Sequence, residues 1–368
     1  MRRDRRVFAL IVLFLLLSAV PAPAFKIRPE ATDLDGKVRT LNPSRWRYFD
    51  EVVAFGIGQF TDPVHERVTH QIYGCPDGRA DCSSPPKPHR YAPDAVIAGV
   101  RWNDNPPFEL ESSKSLPECV GKTMRLPNFS ECWFKLFKDA ERRARAGEVF
   151  DANSGVALLY RVHFGDMQFL HSMASRDKER ARDTLARMMM WAEFVYRTAL
   201  GEVDRGIELR KAGIAGMEVI FRNKGWTAQQ LFTRGDPTFR GEKDLRDLAF
   251  GSLLHMVQDS FVLSHTDRDE ASGAKCPKVE GALTPGQIRV FHSYARQDKK
   301  KHAREDGHDA LDRALLVQQP NVVDVGRLLK SYYDARRPWA ELRDYLECVF
   351  EAQDLEAEAG PGEQFVSD

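Results

Sequence analysis

Apolar residues along this chain recur mostly at helical spacing. Leu185, Met188, Met189, Ala192 and Val195 fall on one face of a helix, as do Leu245, Leu248, Ala249 and Met256. Asp244 stands where it can cap the second of these helices. Thr284, Pro285 and Gln287 form a capping box with proline in the first turn, which predicts another helix running past His302. Alternating runs of strand type are scarce, so the pattern predicts an all-α fold of many helices. The methionine and aromatic stripe from Met188 to Tyr196 reads as core packing.

One apolar stretch has a different character. Val7 to Val20 follows Arg2, Arg3, Arg5 and Arg6 and ends in Pro21-Ala22-Pro23-Ala24. Short apolar length, basic start and small-residue end together predict a signal peptide over 1–24, hence export to a periplasm or the exterior. Cleavage there leaves Phe25 first.

Without 1–24 the chain carries 50 basic and 53 acidic residues, which excludes a polybasic nucleic-acid binder. Six acids and no Lys or Arg lie between Glu351 and Asp368, so 351–368 reads as a solvated, disordered tail. Between them, 25–350 has no Gly-, Ser- or Pro-rich divider and reads as a single domain. Ser83 to Pro93 is a proline-rich surface loop within it, and Ser112 to Cys132 a second insertion.

Six cysteines in an exported chain predict three disulfides. Short loops make Cys75 with Cys82 and Cys119 with Cys132 the economical pairs, leaving Cys276 to join Cys348.

The strongest local signal is His255-Met-Val-Gln-Asp259-Ser-Phe-Val-Leu-Ser-His265. His255 and Asp259, four apart on a helix, share one face and can grip one metal ion. His265, just past the helix end, can reach a neighbouring ion. His, Asp four later and His six beyond that resembles the hallmark of the zinc-dependent phospholipase C and single-strand nuclease superfamily of secreted helical enzymes.

That resemblance implies further ligands in a fixed order. His65 resembles the family's first histidine, opening a helix. Asp104, in Trp-Asn-Asp104-Asn-Pro-Pro, resembles its loop aspartate, and His163, in His163-Phe-Gly-Asp, its next histidine. A histidine and an acid four apart follow on a later helix; His302 with Asp306 ranks first, and His308 with Asp312 has the same spacing. His292 is followed four later by Arg296, which cannot bind zinc. His70, His89 and His171 are left outside the ligand set.

By the same resemblance one zinc takes Asp104, His163, His255 and Asp259, and a second takes His265, His302 and Asp306. A third lies between Asp259 and His65. Asp104 is the catalytic candidate that orients or deprotonates the attacking water. The family's third zinc also uses an N-terminal tryptophan; Phe25 stands there instead, and Trp46 becomes terminal only after a second cleavage. The implied function is hydrolysis of a phosphodiester with two or three zinc ions and transient contact with a membrane surface. A phospholipid is the first choice of substrate and single-stranded nucleic acid the second, which Asp306 slightly favours; no obligate protein partner is evident. A secreted helical binding protein without catalysis is the competing class.

Overall fold

The computed structural model describes residues 63–366, apart from 77–79, 84, 86–90, 114–115, 126–128, 235–238, 240 and 318. The signal peptide, Phe25, Trp46, His89 and much of the proline-rich loop lie outside the described residues.

The described chain is mostly helical. Its longest helices are α1 (Val64–Ile72), α3 (Ser130–Arg145), α5 (Ala181–Leu200), α8 (Glu242–Asp259), α10 (His308–Val317), α11 (Val322–Asp334) and α12 (Trp339–Val349). Shorter ones are α2 (Asp94–Val100), α4 (Leu158–Phe164), α6 (Met217–Ile220), α7 (Ala228–Thr233) and α9 (Lys299–Glu305). Two small antiparallel pairs complete it: β1 (Phe108–Glu109) with β2 (Thr123–Met124), and β3 (Thr266–Arg268) with β4 (Ile288–Phe291).

Helix α8 is the axis of the fold. Every residue from Asp247 to Asp259 is buried, because α1, α2, α5 and α11 pack around it. A helix buried on all sides belongs inside a core. It begins at Gly241, and Asp244 acts from its third position, accepting the Gly241 N–H at 3.1 Å, in place of the cap the sequence suggests.

Two glycines let α2 lie almost backbone to backbone on α8. A Cβ at Gly99 would stand 2.2 Å from the Leu248 carbonyl oxygen, and one at Gly251 2.3 Å from that of Val96. No larger residue fits either position. The contact draws the Val100 carbonyl and the turn after α2 onto the face of α8 that carries His255.

Two expectations are corrected. Residues 284–298 do not continue into one long helix. Ile288 to Phe291 instead form β4, pairing Thr266 with Phe291 and Asp267 with Val290, and only Lys299–Glu305 is helical. Ladder bonds and burial of Ile288 and Phe291 outweigh the local capping signal, and Asp298 caps α9 instead. Residues 351–366 are likewise ordered, although the acidic pattern predicts disorder. They bond to the start of α5 and to β4, while Arg180 and Arg182 pair with Glu356.

All three expected disulfides are present: Cys75–Cys82, Cys119–Cys132 and Cys276–Cys348. The last spans 72 residues and ties the loop between β3 and β4 to the end of α12. Replacing Cys276 and Cys348 by serine is expected to lower the unfolding free energy by about 4 kcal/mol, read by urea titration, because the unfolded chain regains the closure entropy of a long loop. Three disulfides fit an oxidising environment. No helix among the described residues is long and apolar enough to cross a membrane.

Candidate metal centre

Eight buried histidine and aspartate side chains expected as ligands converge around the end of α8, and a ninth, His171, stands among them. They form three groups that could each hold a metal ion: His65, His255 and Asp259; Asp104, His163 and His171; His265, His302 and Asp306.

Each element delivers its side chain for a local reason. His65 is the second residue of α1. Asp104 lies in the turn after α2, pinned by its neighbour Asn103, whose amide donates to the Leu170 carbonyl at 2.8 Å and accepts from Ser252 Oγ at 2.6 Å. His163 is the penultimate residue of α4, and His171 ends the 3-10 turn Gln168–His171. Ser172, next in sequence, adopts left-handed backbone (φ 51°) and donates from Oγ to the Met256 carbonyl at 2.6 Å, holding His171 against α8. His265 follows the turn that ends α8, and His302 and Asp306 lie one turn apart along α9 and its cap.

Asp259 is the hub. Its Oδ2 lies 2.9 Å from both His255 Nε2 and His171 Nδ1, and 3.6 Å from His265 Nδ1; its Oδ1 lies 3.4 Å from His65 Nε2. His171 Nδ1 is also 3.0 Å from His255 Nε2 and 3.8 Å from Asp104 Oδ1. In the outer group His302 Nε2 lies 3.2 Å from Asp306 Oδ2, and His265 Nε2 lies 3.9 Å from Asp306 Oδ1.

The second nitrogen of four rings is tied to an oxygen. His65 Nδ1 meets Gln258 Oε1 (2.6 Å), His255 Nδ1 the Val100 carbonyl (2.6 Å), His265 Nδ1 the His171 carbonyl (2.8 Å) and His302 Nδ1 Gln297 Oε1 (2.5 Å). Gln258 can present only its oxygen to His65, since its amide nitrogen donates to Thr69 Oγ1 at 3.0 Å, whose own proton goes to the His65 carbonyl. Each Nδ1 therefore carries the proton and each Nε2 turns a lone pair toward the cluster. That is how proteins fix the tautomer of a metal-ligating imidazole.

Burial sets the charge state. It pushes His163 and His255 down to about 3 and His265 to about 4, and holds His302 well below the ordinary range, so all four are neutral. Asp104 is pushed well above the carboxylate range by burial, reinforced by Asp259 and Asp306.

A consequence follows for the metal-stripped protein. The four imidazoles stay neutral in the fold but take protons near pH 6.5 once unfolded, so the unfolded state binds more protons as pH falls. Asp104 acts in the opposite sense, one group against four. Melting temperatures of the stripped protein are expected to fall steadily below about pH 6.5.

The donor set fits a divalent cation. Both carboxylate oxygens of Asp104, Asp259 Oδ1, His171 Nε2 and His265 Nε2 are buried without a hydrogen-bond partner among the described residues. Buried polar atoms are normally satisfied, and neutral imidazoles with carboxylates are what zinc-like ions take.

The structure regroups the sequence reading. His255 shares its group with His65 and Asp259, while Asp104 and His163 gather around His171. His163 faces the Asp104 carbonyl through Nε2 (2.8 Å), and it is His171 that comes within 3.0 Å of His255 and Asp259. His171, left outside the expected set, thus stands with Asp104 and His163 in one candidate group. A signal existed: His163, Asp166 and His171 echo His255, Asp259 and His265 with one residue fewer in each interval. Asp166 itself turns away to a two-bond pair with Arg161.

The other histidines take separate places. His308 and Asp312 meet Arg67 at the surface, with Asp312 half exposed, and His70 Nδ1 accepts the Ala92 N–H at 3.1 Å. His292 is buried against Phe365, outside all three groups.

Comparison of the chain with protein-family models, with curated proteins and with solved structures finds no match.

Proposed function

We propose that this chain is an exported zinc-dependent phosphodiester hydrolase of phospholipase C type. The observation that carries the reading is the convergence of His65, His171, His255 and His265 on the single carboxylate of Asp259, with Asp104 and the His302/Asp306 pair beside it. Adjoining groups of mixed imidazole and carboxylate donors suit ions that act together on one substrate, whereas structural zinc is usually enclosed by four ligands, often cysteine.

His171, His255, Asp259 and Asp104 would hold one ion, His265, His302 and Asp306 a second, and His65 with Asp259 a third. Zinc held there supplies a lowered water pKa and neutralises charge growing on phosphate oxygens. The remaining work falls to the chain. Asp104, beside the first ion, would orient the attacking water and accept its proton. Nδ1–H bonds hold the four tied rings in register, and burial keeps bulk water from the charged donors. Water adds to phosphorus, the ester P–O bond breaks, and the products are a phosphomonoester and an alcohol.

Near-neutral charge favours a phospholipid over a phosphate-tracking polymer groove. Asp306 as the acid of the outer pair favours the nuclease branch, the second reading. Parallel assays on phosphatidylcholine vesicles and single-stranded nucleic acid, each with and without chelator, decide between them. Chelator-sensitive release of phosphocholine supports the phospholipase. Nucleotide release moves the assignment to the nuclease, and turnover of neither in the zinc-loaded protein would favour the non-catalytic binding protein.

A further inference from the structure

The ordered C-terminal segment passes beside the outer metal group, which it reaches through Gln297. From α12 it runs beside β4, where the Ile288 N–H donates to the Glu351 carbonyl at 2.8 Å and the Gln353 N–H to the Ile288 carbonyl at 2.9 Å. It then crosses the start of α5, with Arg182, Ala181 and Lys178 donating to Leu355, Ala357 and Ala359 at 2.8 to 3.0 Å. It returns past β4 through a 2.9 Å bond from the Ser293 N–H to the Gly360 carbonyl, and seats Phe365, 3% exposed, edge-on against His292. The Asp298 N–H, immediately before α9, donates to the Phe365 carbonyl at 2.5 Å.

Gln297 joins this strap to the outer metal group. Its side chain is buried, and its amide nitrogen donates both to the Pro361 carbonyl of the strap and to the Ser264 carbonyl, each at 2.8 Å. Ser264 precedes His265 in sequence and donates from Oγ to Asp306 Oδ1 at 3.0 Å. With both amide protons spent on carbonyls, the oxygen of Gln297 must face His302 Nδ1, which it meets at 2.5 Å. His302 Nδ1 then has to be the protonated nitrogen, which turns Nε2 toward Asp306 and His265.

We propose that Gln297, clamped by the strap 351–366, is a positioning residue that selects the metal-binding tautomer and orientation of His302, so that the C-terminal segment governs occupancy of the His265, His302 and Asp306 group. This rests on the metal-dependent reading above. An imidazole whose outer partner is lost usually binds its metal about 10 to 100 times more weakly. Gln297 touches no reacting atom in this account, and its effect passes through His302 alone.

The test is cobalt(II) titration of the stripped full chain, wild type against Gln297→Leu and Phe365→Ala. Equivalents and affinities are read from the visible spectrum of the bound cobalt and from equilibrium dialysis. Leucine keeps most of the volume of Gln297, so the fold is retained, and the remaining equivalents with the helical circular dichroism signal serve as internal controls. The expected result is a 10- to 100-fold loss of affinity for one equivalent in Gln297→Leu, with the others unchanged and the same equivalent weakened in Phe365→Ala. Wild-type affinity for every equivalent in Gln297→Leu, or equal loss of all of them, overturns the proposal while leaving the metal-dependent reading intact. A wild-type chain that takes up no metal overturns both. A folded Phe365→Ala chain with wild-type affinity for that equivalent overturns the role of the strap, and should Phe365→Ala fail to fold, Phe365→Leu takes its place.

Discussion

Asp259→Asn is expected to abolish hydrolysis and strip metal in one step. Among the described residues Asp259 is the carboxylate that lies within 3.6 Å of four imidazoles, His65, His171, His255 and His265. Asparagine keeps the shape, but it removes the negative charge and turns one oxygen into a donor, which the lone pairs of His255 and His65 would meet without an ion between them. Activity should fall by about 10³-fold or more, equivalent to about 4 kcal/mol of transition-state stabilisation, and bound metal should fall with it. Helical circular dichroism should persist, since the packing of α8 rests on its apolar residues. Elemental analysis of the purified variant beside a hydrolysis assay reads both effects, and full metal content with retained activity would remove Asp259 from the hub.

The second large effect separates the structure from the sequence pattern. His171→Ala is expected to cost as much activity and metal as His255→Ala. His171 Nδ1 reaches Asp259 at 2.9 Å and His255 at 3.0 Å, and its Nε2 has no hydrogen-bond partner among the described residues. His163→Ala should cost less. The Nε2 of His163 is engaged by the Asp104 carbonyl, and its ring packs on Trp133 and Phe137, so its loss acts through the placement of Asp104 and through a cavity among aromatic rings. Metal content and activity of the three alanine variants measured together give the order; His163→Ala more damaging than His171→Ala would restore the family-based ligand set.

The contrast between these two histidines shows what a sequence pattern can carry. The face holding His255 and Asp259 is legible because a helix has a fixed period, and α8 keeps it from Glu242 to Asp259. The disulfides are legible because short loops restrict pairing. His171 sits instead at the end of a 3-10 turn, followed by left-handed Ser172, where no period predicts the direction of a side chain. Residues 284–291 carry a genuine capping signal that loses to long-range pairing of Ile288 to Phe291 with Thr266 to Arg268, a partner that local reading cannot supply. In the same way the acidic residues after Glu351 suggest disorder. Their backbone nevertheless finds partners on α5 and β4, and Glu356 meets Arg180 and Arg182 of the α5 entry.

The order of the candidate residues along the chain carries more information than the spacing of the later pairs. His302 with Asp306 and His308 with Asp312 are indistinguishable by spacing, and burial separates them. The first pair is enclosed with His265, whereas Asp312 is half exposed and bonded to Arg67. The glycine pair Gly99 and Gly251 lies outside any catalytic pattern, yet sets how closely Asp104 can approach α8.

The most direct test of the account is the metal content of the purified chain, determined by elemental analysis after gel filtration in chelator-free buffer. Two or three zinc ions per chain, lost together with phosphodiester hydrolysis on treatment with chelator, is the result predicted by three adjoining buried His/Asp groups, with Asp259 of one beside His171 and His265 of the other two. A chain that holds no divalent metal, and refuses zinc when it is supplied, would contradict the central claim.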